Sequence, residues 1–176
     1  MDEPALIRRA QAGDPTAFGD LLDLHYDTIF RFAWKWCRHR ANAEDIAQLA
    51  CLKLAGSLAQ FRFQAAFTSW LYRLVISCAQ DWQRSQGRHD HDDLADAESP
   101  QVQPHAEQQI YLVQVLSELE DLGEGMKETA LLVHGEGMSH AEAGVVLGVS
   151  ESTISWRLHV IRRHMGKREA RISESV

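Results

Sequence analysis

Between Ser85 and Pro104 the chain reads SQGRHDHDDLADAESPQVQP, a segment with no apolar periodicity, two prolines, a glycine and a run of acids. A structureless stretch of that length is uncommon inside a compact domain. It therefore reads as a flexible linker that splits the 176 residues into two blocks. The expected division is a first domain over 1–88, a linker over 89–105 and a second domain over 106–176. Neither block contains a period-two run or an Asn-Gly hairpin turn, and both carry apolar residues at helical spacing. The fold class that follows is all-α: two small helical domains joined by a flexible acidic linker.

Charge and aromatic residues divide along the same lines. The net charge is −7, yet residues 1–84 hold 10 Lys/Arg against 9 Asp/Glu, and residues 126–176 hold 7 against 6. The stretch 85–125 holds only Arg88 against 10 acids. The acidity sits in the middle, so it does not argue against a nucleic-acid partner for either flank. Of 14 Phe, Trp and Tyr residues, 12 fall in 1–84, leaving Tyr111 and Trp156. A content of 45% hydrophobic and 24% charged residues argues against wholesale disorder. No stretch approaches the roughly 20 uninterrupted apolar residues of a membrane span. The N-terminal MDEPALIRRAQAGD is acidic without an apolar core, so no secretory signal is expected. Cys37, Cys51 and Cys78 are too far apart for CxxC motifs and suit a reducing cytoplasm.

The first block reads as three main helices. Asp14 before Pro15 predicts an N-cap and first turn, followed by Phe18, Leu21, Leu22, Ile29, Phe32, Ala33 and Trp36 at helical spacing. Asn42 with Asp45 predicts a second cap, continued by Ile46, Leu49, Ala50, Leu54 and Leu58. A third stripe runs Trp70, Leu71, Leu74, Val75, Cys78 and Trp82. In the second block Ile110, Val113, Leu116 and Leu119 predict a helix ending near Gly123, and Met126 to His134 predict another. Gly135 and Gly137 then break the chain.

Residues 139–164, SHAEAGVVLGVSESTISWRLHVIRRH, have helix-turn-helix spacing. Ser139 and Glu142 form an S-x-x-E capping box. Gly144 is small where two helices approach, Gly148 sits where the turn needs a positive φ, and Ile154 would plug the core between the helices. Ser150 caps the second helix, whose early turns offer Glu151, Ser152, Thr153, Ser155, Trp156 and Arg157 to a major groove. Arg157, Arg162, Arg163, Lys167, Arg168 and Arg171, opposed only by Glu169, form a basic stripe suited to phosphates. The bland alternative is a helical hairpin whose basic end complements the helix dipole. The coincidence of cap, turn and basic face favours DNA. The candidate reading set is Ser152, Thr153, Ser155, Trp156, Arg157, His159, Arg162 and Arg163.

Four motifs in this order, AQAGDPTAF (10–18), NAEDIAQ (42–48), FTSWLYRL (67–74) and GMSHAEAGVVLGVSESTISWRLH (137–159), give the chain a likeness to a known family. It resembles the extracytoplasmic-function sigma factors, the smallest bacterial RNA polymerase specificity subunits. The resemblance implies that the helix over 42–58 docks on the polymerase largest subunit, with Asp45 and Gln48 in the docking pattern. Leu49 stands where relatives usually carry Glu. It implies that 61–84 melts and reads the minus-ten promoter element, and the chemistry there suits the task. Arg73, Ser77, Gln80 and Arg84 fall on one face at i, i+4, i+7 and i+11, opposite Trp70, Leu74, Cys78 and Trp82. Phe61, Phe63 and Phe67 precede them, where an unstacked base could find an aromatic platform or where the rings could simply pack in the core. Many relatives have Asn at Ser77. The helix-turn-helix matches the part that reads the minus-thirty-five element as duplex.

The implied partners are core RNA polymerase, promoter DNA and an anti-sigma factor clamping between the two domains, with no small-molecule substrate and no cofactor. The rival class is a stand-alone helix-turn-helix regulator working as a dimer, which would need a dimerisation surface; nothing resembles a coiled coil. An enzyme has little support. His25, His134 and His140 have no paired nucleophile or metal spacing, and no glycine-rich phosphate loop occurs. HDHDD (His89 to Asp93) reads as solvated linker rather than a metal site, because nothing rigid would hold ligand geometry. The acids at 90–98 could compete with phosphate for the basic helix or act only as a solubilising spacer.

Overall fold

The computed structural model describes residues 2–89 and 106–173. The chain divides into two compact units on either side of Ala106–Glu107, and every element among the described residues is helical. Of the linker expected over 89–105, residues 90–105, with most of HDHDD, lie outside the described residues.

The first unit holds α1 (Glu3–Gln11), α2 (Pro15–Cys37), α3 (Arg40–Ser57), a single 3-10 turn (Leu58–Gln60) and α4 (Phe67–His89). Asp14 caps α2 as its sequence predicts: the carboxylate accepts from Thr16 N–H at 3.0 Å and Ala17 N–H at 3.1 Å. The Ala17 amide, and then the Arg9 guanidinium 2.6 Å away, hold this carboxyl below the ordinary carboxylate value. The α2 helix ends where Arg38 turns left-handed at φ 55°. The cap of α3 differs from expectation. His39, not Asn42, is the N-cap, and its Nδ1 accepts from the Asn42 amide at 3.5 Å. Asp45 consequently lies beyond the first turn rather than in it.

Phe32, Leu21, Ile29 and Ala33 of α2 are fully buried together with Ile46, Ala47, Ala50 and Leu54 of α3. Each such large apolar side chain stabilises the fold by about 1.5–3 kcal/mol. The α4 helix packs on both α2 and α3, so it buries a wider arc than a single stripe. Tyr72, Ile76 and Ala79 join Leu71, Leu74, Val75 and Cys78 in the core, whereas Trp70 and Trp82, expected inside, are only half-buried. The helix also continues through residues 85–89, the start of the stretch without apolar periodicity, and so reaches the first residue of the expected linker.

The second unit holds α5 (Ala106–Asp121), α6 (Met126–Ala130) passing into a π turn (Leu131–Gly135), α7 (His140–Leu147) and α8 (Glu151–Ser173). Leu119, Met126, Leu131, Leu132, Val146, Ile154, Leu158 and Ile161 form its core. Of the stripe expected on α5, only Leu119 is buried; Ile110 and Val113 are exposed. This helix is tied to α8 by polar groups. Glu118 takes Arg168 Nη1 at 2.8 Å and His164 Nε2 at 2.9 Å, and the Arg168 guanidinium lies 4.6 Å over the Tyr111 ring.

Candidate nucleic-acid interfaces

The helix-turn-helix forms from local hydrogen bonds. Ser139 N–H donates to Glu142 Oε2 at 2.8 Å and the Glu142 amide returns to Ser139 Oγ at 3.2 Å, closing the capping box. The Ser139 hydroxyl, 2.7 Å from the same oxygen, and the Ser139 amide keep the Glu142 carboxyl below its ordinary value. Gly148 ends α7 at φ 67°. A Cβ on Gly144 would come within 2.8 Å of the Val149 carbonyl oxygen, so the close approach here is made by the turn backbone. Ile154 is fully buried between the helices.

These bonds decide which side chains α8 presents. Ser150 Oγ accepts from the Thr153 amide at 3.2 Å and lies 2.8 Å from both Ser152 Oγ and Thr153 Oγ1. Those two hydroxyls are thus partly committed to the cap. Ser155 donates to the Glu151 carbonyl at 3.1 Å and pairs with His140 Nδ1 at 2.9 Å. With its single hydrogen committed to Glu151, Ser155 receives one from His140, which anchors α7 to the exposed face of α8. Trp156, 57% exposed, stands out from this face, with His159, Arg162 and Arg163 also exposed. His159 follows Trp156 by three residues, and Arg162 and Arg163 follow His159 by three and four, which keeps them on adjoining turns of one side.

Two members of the basic stripe point elsewhere. Arg157 is half-buried, and its guanidinium covers Gly125 so closely that a Cβ there would collide with it. Arg168 is buried against Glu118 and Tyr111 and leaves the phosphate-facing stripe altogether.

In the first unit Asp45 and Gln48, the expected docking residues, are exposed on α3, in line with Leu49 and Leu52 at i, i+3, i+4 and i+7. Leu52 is 72% exposed. Leu49, expected in the apolar stripe of α3, is exposed instead and adjoins Leu52, which the sequence reading does not name. On α4, Arg73 and Arg84 are exposed and Ser77 and Gln80 half-buried, forming the expected strip. Lys53 of α3 donates to Ser77 Oγ at 2.8 Å and lies 3.6 Å from Asp81 Oδ2. Nothing in sequence reasoning pointed to Lys53.

The aromatic residues before α4 separate into two environments. Phe67 is buried, 5.0 Å from the His25 ring and 5.2 Å from Phe61, so it packs in the core rather than offering a free face. His25 is buried beside it, which agrees with a core histidine. Phe63 remains 38% exposed, its ring 4.8 Å from Phe61 and covered by the Arg8 guanidinium at 4.9 Å. Its φ of 57° is unusual for a bulky residue. Gln11 Nε2 secures the approach by donating to Leu58 O at 3.0 Å and Phe61 O at 2.8 Å.

Burial pushes the Cys51 and Cys78 thiols up, away from the reactive thiolate. No group of three His, Cys, Asp or Glu among the described residues could hold a metal ion. No described helix is long and apolar enough to cross a membrane.

The sequence matches the Sigma-70 region 2 family over residues 21–89. Along most of its length it is similar to the RNA polymerase sigma factor NccH of Alcaligenes xylosoxydans, at 30% identity over 166 residues, covering 90% of this chain and 89% of that protein. Other curated relatives are named as ECF RNA polymerase sigma factors. The chain belongs to the RNA polymerase sigma factors, in their extracytoplasmic-function branch. Its fold agrees. The structure of CnrH in complex with the cytosolic domain of CnrY superposes with a TM-score of 0.70 at 21% identity, covering 94% of this chain and 96% of that one. The sigma factor RpoE of Bartonella quintana, in complex with the anti-sigma factor NepR, gives 0.62 at 22% identity, covering 85% and 94%.

Proposed function

We propose that this sigma factor divides promoter reading between its units, with duplex recognition by α8 and single-strand recognition by α4 and the loop before it. The observation that carries the reading is the exposed row Ser152, Ser155, Trp156, His159, Arg162 and Arg163, standing opposite the buried row Ile154, Leu158 and Ile161. A helix divided in this way by a cap and a tight turn suits the major groove at the minus-thirty-five element. The α4 strip of Arg73, Ser77, Gln80 and Arg84, beside the half-exposed Phe63, supplies cations and an aromatic face for the unpaired minus-ten strand. The α3 strip of Asp45, Gln48, Leu49 and Leu52 docks on core RNA polymerase, with the leucines adding an apolar contact.

In this reading the protein carries no catalytic residue. It works in the cytoplasm, recruits the polymerase, and melting is driven by binding energy for the displaced bases. An anti-sigma factor is a further partner, by analogy with the complex of RpoE and NepR. Run-off transcription by purified core polymerase with this chain tests the reading. Promoter-specific transcripts are expected with the holoenzyme. Specific duplex binding by the chain alone, with no gain in polymerase specificity, would instead identify a stand-alone regulator.

A further inference from the structure

Ser77 lies midway along the exposed strip of α4, and its hydroxyl accepts a hydrogen bond from Lys53 Nζ at 2.8 Å. The same ammonium stands 3.6 Å from Asp81 Oδ2, and Asp81 also binds Arg84 of its own helix. Lys53, Asp81 and Arg84 are all solvent-exposed. Exposed ion pairs contribute little to stability, so the fold does not need this arrangement. Its chemistry has a different consequence. An ammonium has donors and no acceptor, so Lys53 occupies a lone pair of Ser77 and leaves the hydroxyl hydrogen pointing away from it. The adjacent positive charge strengthens that hydrogen as a donor and opposes the amino groups of bases. Left alone, Asp81 would repel phosphate on this strip; Lys53 and Arg84 offset it.

We propose that Lys53 is a specificity-determining positioning residue for the downstream promoter element. It acts through Ser77, presenting the hydroxyl as a donor to a base whose edge places a keto oxygen there (thymine O4 or guanine O6), and against one that places an exocyclic amine at the same position (cytosine N4 or adenine N6). The proposal rests on the α4 strip being the single-strand reading face.

The test uses holoenzyme assembled from core polymerase and the full chain, selecting open complexes from a promoter library randomised across the downstream element. The parent protein is expected to prefer a keto base (thymine or guanine) over an amino base (cytosine or adenine) at one position, and Ser77→Ala to erase that preference. Lys53→Met should reduce the preference at the same position by about threefold to tenfold, the worth of one hydrogen bond, without altering other positions. Lys53→Arg, which keeps charge and donors, should restore most of it. Equal weakening of all sequences by Lys53→Met, with a salt slope lower by about 0.7, would make Lys53 a phosphate contact and overturn the proposal. An unchanged preference in Lys53→Met alongside a lost one in Ser77→Ala would overturn it while sparing the reading of α4. An unchanged preference in Ser77→Ala would remove both.

Discussion

In the first unit Phe32 and Tyr72 meet edge to face at 5.3 Å, and Phe61, Phe67 and Trp70 form a second aromatic group at 5.2–5.7 Å. In the second unit Tyr111 and Trp156 are both exposed, and the interior is aliphatic. There, buried Lys127 pairs with Glu120, and buried Arg168 with Glu118. Large rings bury about 150–250 Å² each, so a few of them close a small core without help from charge. An aliphatic core of similar size leans on caps, turns and ion pairs. The contrast suits the proposed division of labour, in which an unpaired strand would be held on a rigid aromatic base, whereas duplex reading would need one helix anchored at its start and exposed along one face.

Phe32→Ala should give the largest effect, about 3–5 kcal/mol of lost stability, because it deletes a fully buried ring. Amide exchange should show the loss in α1–α4 and leave α7 and α8 protected. Equal loss in both units would break the comparison. Gly148→Val should do the converse. A β-branched residue at φ 67° costs about 1–3 kcal/mol and should loosen α7 and α8 alone.

Acid should discriminate further. The hydrogen bond from His164, then the charge of Arg168, hold the Glu118 carboxyl below its ordinary 4.5. A carboxyl lowered by folding adds stability that is present above its unfolded value and lost as pH falls through the folded one. Thermal unfolding of the second unit should therefore weaken below about pH 4.5, and Glu118→Gln should flatten that dependence while lowering stability at neutral pH. An unchanged acid limb in Glu118→Gln would show that the α5–α8 tie contributes nothing. The smallest effect is expected from Arg163→Ala, which should leave folding intact. It should reduce the slope of duplex affinity against salt by about 0.9, one phosphate contact.

The local parts of the helix-turn-helix were legible from sequence because their partners lie within a few residues. Ser139 with Glu142, Gly148 and Ser150 each answer a backbone demand of a helix end. Local reasoning failed at α3, where Asn42 looked like the cap and His39 took the position. A His is a poor cap on propensity, and only the path of the chain out of the left-handed Arg38 selects it.

The sequence by itself determined the class of fold, the caps of α2 and α7 and the exposed row Trp156, His159, Arg162 and Arg163 on α8, since these depend on 3.6-residue periodicity and on hydrogen bonds spanning three or four residues. It did not determine which arginines remain free or which aromatic rings stay outside. Lys53 reaches Ser77 across 24 residues and Arg168 reaches Glu118 across 50. Arg157 settles over Gly125, and Phe67 sinks beside His25 while Phe63 stays at the surface. Those outcomes rest on the rotation and crossing of packed helices, which set side-chain positions to within an ångström or two. Only the tertiary structure decides them, because a hydrogen bond or a ring contact is made or lost over that same distance.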